Sequence, residues 1–441
     1  MISGVSDRPI ANISELLDHF RVGSKSTTDL RIGLEHEKVA VLADGSAPDF
    51  DRIEPLLSAL AARGWNRVVE RDRLIALEQK QSGSVTLEPG GQIEHSGAPF
   101  PSGVEAAREN QAHIDQITPL ASELGLTFLG IGFRPFGTLD DVPWMPKGRY
   151  RVMRSYLPKH GNMAHEMMKR TATVQANLDY VDEADAMEKL RLGLGLSSLV
   201  TALFAASPIV DGKLSGHQSY RAACWLATDP DRCGLLPFAF KPDACFSDYV
   251  EWALDVPMFF LYRNGEYREL EGVTFRRFMR EGIEGVRALP SDWALHLSTL
   301  FPETRLKQYV EVRQADASTR ALVSALPVLW RGLFYDADSR HRAWSLVADW
   351  TFEERLALYR ETPMKGLRAR IRNRDLRELS SEMVSAAKEG LLRLGSIEGA
   401  KLLAPLEEIA STGRTVADRI IEDFERVKGD RTKLIEAMKL T

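Results

Sequence analysis

The chain is poor in cysteine: its 441 residues include three, Cys224, Cys233 and Cys245. An odd number in one short segment, without a CxxC pair, indicates neither a disulfide framework nor a thiolate metal site. These thiols can tie the segment only to itself, so we expect no regulatory disulfide. Free thiols fit a reducing compartment, and residues 1–20 lack the basic and apolar regions of a secretory signal. We therefore expect a cytoplasmic protein.

An excess of charge of one sign and long apolar runs are also missing. The chain has 57 basic and 62 acidic residues, a net charge of −5 and no basic tract, so we expect no nucleic-acid partner. Residues 192–210 carry no charge, but such a stretch is barely long enough for the ~30 Å hydrocarbon core of a bilayer. In a chain otherwise patterned as a globular protein it favours a buried helix. We expect no membrane partner.

Several familiar catalytic motifs are absent. The glycine pairs Gly130–Gly132 and Gly193–Gly195 do not complete a GxGxxG phosphate loop, and no GxSxG sequence is present. His165 and Glu166 begin a zincin-like sequence that lacks its second histidine. Dinucleotide binding through a Rossmann loop, a serine-hydrolase elbow and a zincin site are therefore disfavoured.

A large core and a continuous body are indicated by what remains. Hydrophobic residues make up 44% of the chain, and neither an internal repeat nor a low-complexity linker is present. We expect one catalytic body over residues 1–441, with a helical C-terminal part from about 339 packed on it. The predicted helices are 54–63, 104–124 and 184–206, and the predicted strands are 74–79, 85–88, 92–95, 127–133, 171–178 and 308–312. Residues 135–158 are predicted to form a long loop, a candidate lid.

The predicted strands are joined by short turns, which indicates antiparallel neighbours because a parallel crossover needs a dozen or more residues. Side chains two apart on a strand share a face. Polar residues follow this spacing in three segments: Glu35 and Glu37; Thr173, Gln175 and Asn177; and Tyr309, Glu311 and Arg313. Two further carboxylates, Glu88 and Glu94, flank a Pro-Gly-Gly turn.

These polar residues have two interpretations. An antiparallel sheet with one solvated face explains the alternation. It explains less well why the positions hold five carboxylates and two amides. Oxygen ligands of this kind suit a hard cation such as Mg²⁺, and Mg²⁺ sites with few carboxylates usually also hold phosphate oxygens. The sheet therefore suggests nucleotide chemistry without a glycine-rich phosphate loop.

Six motifs in order resemble the glutamate–cysteine ligases, of the type shared by plants and many proteobacteria. The matching segments are RIGLEHEK (31–38), LEPGGQIE (87–94), MPKGRY (145–150), TVQAN (173–177), ALDVPM (253–258) and RLKQYVEVR (305–313). The resemblance covers nearly the whole chain from about residue 30.

The resemblance implies an α+β fold similar to glutamine synthetase, with a curved, mainly antiparallel sheet surrounded by helices. It also implies ATP-dependent joining of the γ-carboxylate of L-glutamate to the amine of L-cysteine. In the family this first step of glutathione synthesis runs through a γ-glutamyl phosphate, with Mg²⁺ bridging protein carboxylates and ATP.

The resemblance also implies roles for individual residues. The expected metal ligands are Glu35, Glu37, Glu88, Glu94, Gln175 and Glu311. The expected catalytic residues are Arg313, which would face the transferring phosphoryl group, Glu35 and Glu311. The expected substrate-binding residues are Arg149, Arg221, Asn177 and Phe259. Phe259 stands where plant members place a tyrosine near the cysteine substrate, which leaves the acceptor pocket undefined.

Three alternatives stay open at this point. The first is a related carboxylate–amine ligase with a different acceptor amine. The second is a non-catalytic metal or amino-acid sensor that keeps the fold. The third is a metal-dependent hydrolase, which would need no second amino acid.

Overall fold

The computed structural model describes residues 8–440. The helices are α1 (Ile13–Arg21), α2 (Phe50–Ala61), α3 (Gly103–Glu123), α4 (Gly148–Tyr156), α5 (Ala164–Arg170), α6 (Glu183–Gly195), α7 (Ser197–Leu203), α8 (Tyr220–Leu226), α9 (Phe246–Asp255), α10 (Phe275–Glu281), α11 (Pro290–Leu297), α12 (Arg320–Tyr335), α13 (Ala337–Ser345), α14 (Phe352–Lys365), α15 (Leu376–Arg393), α16 (Ile397–Leu402), α17 (Ala404–Thr412), α18 (Val416–Arg426) and α19 (Arg431–Ala437). Short 3-10 helices span Leu157–Lys159, Pro237–Phe240 and Gly366–Arg368.

The strands vary widely in length. They are β1 (Ile32–Val41), β2 (Asn66–Glu70), β3 (Arg73–Gln79), β4 (Gly83–Leu87), β5 (Ile93–Ser96), β6 (Thr127–Leu129), β7 (Thr173–Leu178), β8 (Ile209–Val210), β9 (Lys213–Leu214), β10 (Cys233–Gly234), β11 (Phe260–Arg263), β12 (Glu266–Glu269), β13 (Phe301–Pro302), β14 (Thr304–Leu306), β15 (Val310–Asp316), β16 (Arg370–Ile371) and β17 (Arg374–Asp375).

One nine-stranded sheet forms the centre of the molecule. Its order is β14-β15-β7-β1-β5-β4-β3-β2, with β6 paired to the far end of β1. Every pairing in this sheet is antiparallel. The sheet is open and its short turns lie where the sequence predicts them, between β3 and β4 and between β4 and β5. The predicted α+β class with a mainly antiparallel sheet is confirmed.

Helices cover the apolar positions of the sheet. Val174, Ala176 and Leu178 of β7 are fully buried in a core shared with α6, α7, α12 and α15. A second cluster joins α2, α3 and α4 to β3, β4 and β5. The helix α12 contacts both β1 and β7 and is itself covered by α15. The sheet thereby keeps one buried face along much of its length.

Some predicted elements differ from the observed ones. The predicted strand 127–133 ends at Leu129, and the predicted loop 135–158 contains α4. The helical C-terminal part begins at Arg320 rather than near 339. The apolar run of α12 includes Pro327, which obscures its helical pattern in the sequence.

The uncharged stretch 192–210 is buried, as predicted, but in two helices rather than one. α6 ends at Gly195 and α7 begins at Ser197, whose hydroxyl donates to the Leu194 carbonyl at 2.9 Å. Gly193 allows close packing, since a Cβ there would lie 2.5 Å from the hydroxyl oxygen of Thr304. Between residues 8 and 440, none of the helices has the length and apolarity needed to cross a bilayer. Residues 1–7 of the stretch examined for a secretory signal lie outside the described part.

Glu109 of α3 connects that helix to the loop after β5. The Ala98 amide donates to both carboxylate oxygens of Glu109, at 3.0 and 3.3 Å. Burial raises the pKa of Glu109 from 4.5 to about 7. Because the native protein keeps this proton while the unfolded chain loses it, the contribution of Glu109 to stability falls as the pH rises from 4.5 to 7.

Glu109→Gln should therefore be less sensitive to alkaline pH than the parent, because glutamine keeps an acceptor for Ala98 and has no proton to lose. Relative to the parent, its midpoint of thermal unfolding should rise by about 2 °C between pH 5 and pH 8. Glu123→Gln, an exposed change in the same helix, serves as the control. A midpoint difference that stays constant with pH would contradict the buried, protonated carboxyl.

Candidate active site

A cleft of about 340 Å³ lies over the polar face of the central sheet. Its walls come from the sheet, from α4 with the segment before it, and from residues around β13 and β14. The lining residues are Glu35, Glu37, Thr86, Glu88, Pro89, Gln92, Glu94, Lys147, Arg149, Tyr150, Met153, Met167, Met168, Thr171, Gln175, Trp225, Ser298, Phe301, Arg305, Lys307, Glu311 and Arg313. Eight residues expected from the sequence therefore meet in one place: Glu35, Glu37, Glu88, Glu94, Arg149, Gln175, Glu311 and Arg313.

Three carboxylates converge on one point of the cleft. Register places Glu37 of β1 directly opposite Glu94 of β5, and Glu88 follows the end of β4. One carboxylate oxygen from each of Glu37, Glu88 and Glu94 lies within 4.8 Å of the other two. Glu37 accepts a hydrogen bond from the Thr173 amide at 3.0 Å, and Glu94 accepts one from the Ser96 hydroxyl at 2.5 Å. We call Glu37, Glu88 and Glu94 the acidic triad.

The three carboxyl groups of the acidic triad have raised pKa values. Burial, followed by repulsion from Glu88 and Glu94, raises the pKa of Glu37 well above its ordinary value. Burial also raises the pKa values of Glu88 and Glu94. Three converging carboxylate oxygens are a donor set that suits Mg²⁺. The acidic triad thus fits the expected metal.

Glu35 occupies the next cleft-facing position on β1. It lies opposite Gln175 of β7, and its Oε1 accepts a hydrogen bond from Asn177 Nδ2 at 2.8 Å. Burial, with repulsion from Glu311 and Glu94, raises the pKa of Glu35 to about 7. Asn177 does not line the cleft; it supports Glu35 from the side, and its Oδ1 is buried without a hydrogen-bond partner.

Glu311 is held differently from the other four carboxylates. Arg305, its cross-strand partner on β14, grips it with both Nε and Nη2, the latter at 2.8 Å. Lys307 Nζ and Arg313 Nη1 lie 3.6 and 3.5 Å from its Oε1. Although burial raises the pKa of Glu311, these three cations together hold it well below the ordinary range. Its charge is thereby compensated within the protein, and its role as a metal ligand stays a prediction.

Arg313 reaches into the cleft beside Gln175. Its Nη1 donates to Gln175 Oε1 at 2.6 Å, and its guanidinium carbon lies 5.7 Å from the ring centres of both Trp225 and Phe301. The Gln175 oxygen is therefore engaged by Arg313 in this arrangement instead of being presented to a metal. The pair fixes a permanent positive charge across the cleft from the acidic triad.

Arg149 of the cleft wall acts on Glu88 through its charge. It lies in the first turn of α4, and it makes no hydrogen bond or ion pair to another residue of the described chain; its Nε is buried without a partner. A planar guanidinium in this state is suited to a carboxylate or phosphate of a ligand.

Three expected substrate-binding residues do not line the cleft: Asn177, described above, Arg221 and Phe259. Arg221 is 3% exposed and donates to the carbonyls of Arg313 and Gln314, at 2.7 and 3.3 Å. It holds the backbone of β15, and its charge also acts on Glu37 in the cleft. Phe259 is 1% exposed and lies under the Arg232 guanidinium, whose carbon is 3.9 Å from the ring centre. Both side chains are covered by tertiary packing, and the substrate-binding roles that the resemblance implied for them stay predictions.

Several residues of the cleft were not predicted from the sequence. The charged and aromatic ones are Lys147, Tyr150, Trp225, Phe301, Arg305 and Lys307. Lys147 and Tyr150 lie within the MPKGRY segment, and Arg305 and Lys307 lie within RLKQYVEVR. Their spacing in the sequence relative to Arg149 and Glu311 was the signal that could have identified them as cleft residues. Trp225 and Phe301 carried no such pattern.

The cysteines lie near this region but remain thiols. Cys224, Cys233 and Cys245 are free. Burial raises the pKa of Cys233 to about 12, which disfavours the reactive thiolate. The expected absence of a regulatory disulfide stays a prediction.

Fold and cleft together define a class: an α+β protein whose candidate active site is the carboxylate-lined face of an open antiparallel sheet. The sequence model of glutamate-cysteine ligase family 2 (GCS2) matches residues 31–437. The chain belongs to this family.

Two curated relatives are the chloroplastic glutamate–cysteine ligases of Arabidopsis thaliana and Brassica juncea. The first is 43% identical over 425 residues, covering 95% of this chain and 81% of the relative. The second is 42% identical over 425 residues, covering 95% and 82%. A crystal structure of the glutamate–cysteine ligase of Francisella tularensis in complex with AMP has the same fold. Its TM-score is 0.55 at 11% identity, and the match covers 94% of this chain and 88% of that one.

These relatives correct one expectation. Both plant enzymes are chloroplastic, which points to a plastid and contradicts the cytoplasmic location expected from the sequence. Free thiols are compatible with reducing compartments in general. Cysteine content therefore could not distinguish the cytoplasm from a plastid.

Glu37→Gln should abolish stabilisation of the protein by Mg²⁺. The change keeps the side-chain volume and removes one charge of the acidic triad. Since a ligand that binds only the native state raises stability, Mg²⁺ should raise the thermal midpoint of the parent and of Glu78→Gln, an exposed glutamate of β3, but not that of Glu37→Gln. Equal shifts in all three proteins would refute the acidic triad as the metal site.

Proposed function

We propose that this protein joins the γ-carboxylate of L-glutamate to the amine of L-cysteine with hydrolysis of ATP to ADP, the first step of glutathione biosynthesis. The proposed route passes through a γ-glutamyl phosphate, which the cysteine amine attacks with release of phosphate. Its main support is the acidic triad, which shares one cleft with Arg149 and Arg313. The chain also belongs to a ligase family.

The acidic triad is the proposed holder of Mg²⁺, which when bound would neutralise phosphate oxygens of ATP. Glu35 adds negative charge beside it, with Asn177 fixing its orientation. We propose that Arg313, held by Gln175, supplies a positive charge to the transferring phosphoryl group. Such transfer depends mainly on positioning and electrostatics rather than on covalent help from the protein.

The arrangement suggests separate work for the other cations. Arg149 makes no hydrogen bond or ion pair within the described chain, and it is the proposed binder of a glutamate carboxylate. Arg305 and Lys307 are engaged by Glu311. We propose that Glu311 acts chiefly by ordering Arg305 and Arg313, and that Arg221 acts by bracing the backbone of Arg313.

The acceptor side of the cleft is the proposed place for cysteine. Phe301 lines the cleft, whereas Phe259 lies behind it with ring centres 6.5 Å apart. We propose that Phe259 shapes the acceptor pocket through Phe301 and Arg232 rather than by direct contact. Enclosure by α4 would limit hydrolysis of the acyl phosphate.

We also infer that the chain acts as one catalytic body. The helix α12 packs on β1 and β7, which carry Glu35, Glu37 and Gln175, and α15 packs on α12. The C-terminal helices would then support the sheet from the face opposite the cleft, without contributing catalytic groups.

The reaction itself is tested by measuring ADP formation with glutamate in the presence and absence of cysteine, with mass detection of the product. We expect ADP and γ-glutamylcysteine in equal amounts, and little ADP without cysteine. Dipeptides formed preferentially from another amine would identify a different acceptor. Phosphate release without any dipeptide would indicate a hydrolase, and no turnover at all would favour a sensor.

Arg149→Ala should raise the KM for glutamate by about ten-fold or more, because a charge-assisted hydrogen bond contributes roughly 1.5–3 kcal/mol. The KM for ATP should change less. Arg151→Ala is the matched control, since Arg151 is exposed on the same helix and donates only to the Tyr267 carbonyl at 3.2 Å. Superimposable glutamate titrations for the parent and Arg149→Ala would rule out this role.

A further inference from the structure

The acidic triad is assembled from two separate pieces of chain. Glu37 belongs to β1, whereas Glu88 lies in the loop 88–92 between β4 and β5. The ladder between β1 and β5 ends at the pair Lys38 and Ile93. Beyond it β1 pairs with β6 instead. The loop 88–92 therefore projects past the ladder. The Glu88 amide donates to the Gln92 carbonyl at 2.8 Å, which holds Glu88 to the start of β5, and a direct link from the loop to β1 needs a further contact.

Arg134 bridges the two pieces. Its Nη1 donates to the Ala40 carbonyl of β1 at 2.7 Å, and its Nη2 donates to the Gly90 carbonyl of the loop at 3.4 Å. Its own amide donates to the Arg170 carbonyl at 2.7 Å. The guanidinium thus spans the gap that the ladder leaves open.

The position of Arg134 is energetically unusual. Its side chain is 0% exposed and has no ion pair with a described carboxylate. Burying a cation without a counter-charge is costly. Burial, with repulsion from Arg170, lowers the pKa of Arg134 to about 9. A neutral residue would fill the same space without the free-energy cost of burying a charge. We therefore expect the bridge made by Arg134 to have a function.

The loop has little freedom on its other sides. Gln92 Oε1 accepts from the Gly90 amide at 3.0 Å, and Gln92 Nε2 donates to the Thr171 carbonyl at 2.7 Å. A Cβ at residue 90 would lie 1.9 Å from the Lys169 carbonyl oxygen. The loop is therefore pressed against the segment before β7, and Arg134 adds the link to β1.

We propose that Arg134 is a positioning residue of the metal site: it ties the loop 88–92 to β1 and so holds Glu88 at coordinating distance from Glu37 and Glu94. This inference rests on the metal-dependent reaction proposed above. It concerns the geometry of the ligands, and Arg134 contacts neither substrate nor metal.

The test uses electron paramagnetic resonance to measure Mn²⁺ binding by four metal-free proteins. They are the parent, Arg134→Met, Arg134→Lys and Arg355→Met. Arg355 is the matched control: it is 4% exposed, donates to the Val347 carbonyl at 2.5 Å, and does not line the cleft. Residues that orient metal ligands typically contribute 10- to 100-fold in affinity. We expect the Kd for Mn²⁺ to rise about ten-fold in Arg134→Met and about three-fold in Arg134→Lys, whose single nitrogen replaces the two that bridge Ala40 and Gly90, with no change in Arg355→Met.

Thermal unfolding of each variant separates this role from a general loss of stability. Both methionine variants are expected to unfold at lower temperature, but only the change at 134 should weaken Mn²⁺ binding. A folded Arg134→Met that binds Mn²⁺ like the parent would overturn the proposal. If that variant does not fold, parent-like binding by Arg134→Lys, with a parent-like midpoint, would overturn it equally. A parent that binds no Mn²⁺ would overturn the metal site itself, and the inference with it.

Discussion

Repulsion between carboxylates on one face of a sheet is the constraint on which this cleft depends. Antiparallel register sets Glu37 against Glu94, and the turn after β4 adds Glu88. Left to themselves, such groups would take up protons or move apart. The fold prevents the movement by placing them on neighbouring strands of a sheet whose other side is packed under α3 and α12. The repulsion is thereby retained in the folded chain, where together with burial it raises the pKa values of Glu37 and Glu94.

Buried carboxyl groups behave in opposite ways in the two halves of the cleft. Around the acidic triad burial raises the carboxyl pKa values, although the charges of Lys147, Arg149 and Arg221 act in the opposite direction. Around Glu311 three cations surround one carboxylate, whose pKa is depressed. The cations thus outweigh burial at Glu311, whereas burial outweighs the cations at the acidic triad. The half with the acidic triad can accept a cation, and the half around Glu311 presents arginines. Such a site suits a substrate whose phosphate groups bridge the two halves.

Residues behind the cleft determine what the residues inside it can do. Arg221 holds the backbone that carries Arg313, Asn177 orients Glu35, and Arg232 covers Phe259. None of these three lines the cleft. Family resemblance marked two of them as substrate-binding, Arg221 and Asn177, because a motif records that a position matters without recording whether its side chain touches the ligand.

The sequence by itself determined the antiparallel sheet, the carboxylate face and the family, because alternation with a period of two and short turns are local properties of the chain. It also determined which residue types were present at Glu37, Glu88 and Glu94. Only the tertiary structure decided that these three converge while Glu311 is neutralised by Arg305, and that Arg221 and Phe259 are covered. Those outcomes depend on register between distant strands and on the packing of α8, which carries Arg221, and of the segment before β11, which carries Phe259. Neither register nor packing is written in any single segment.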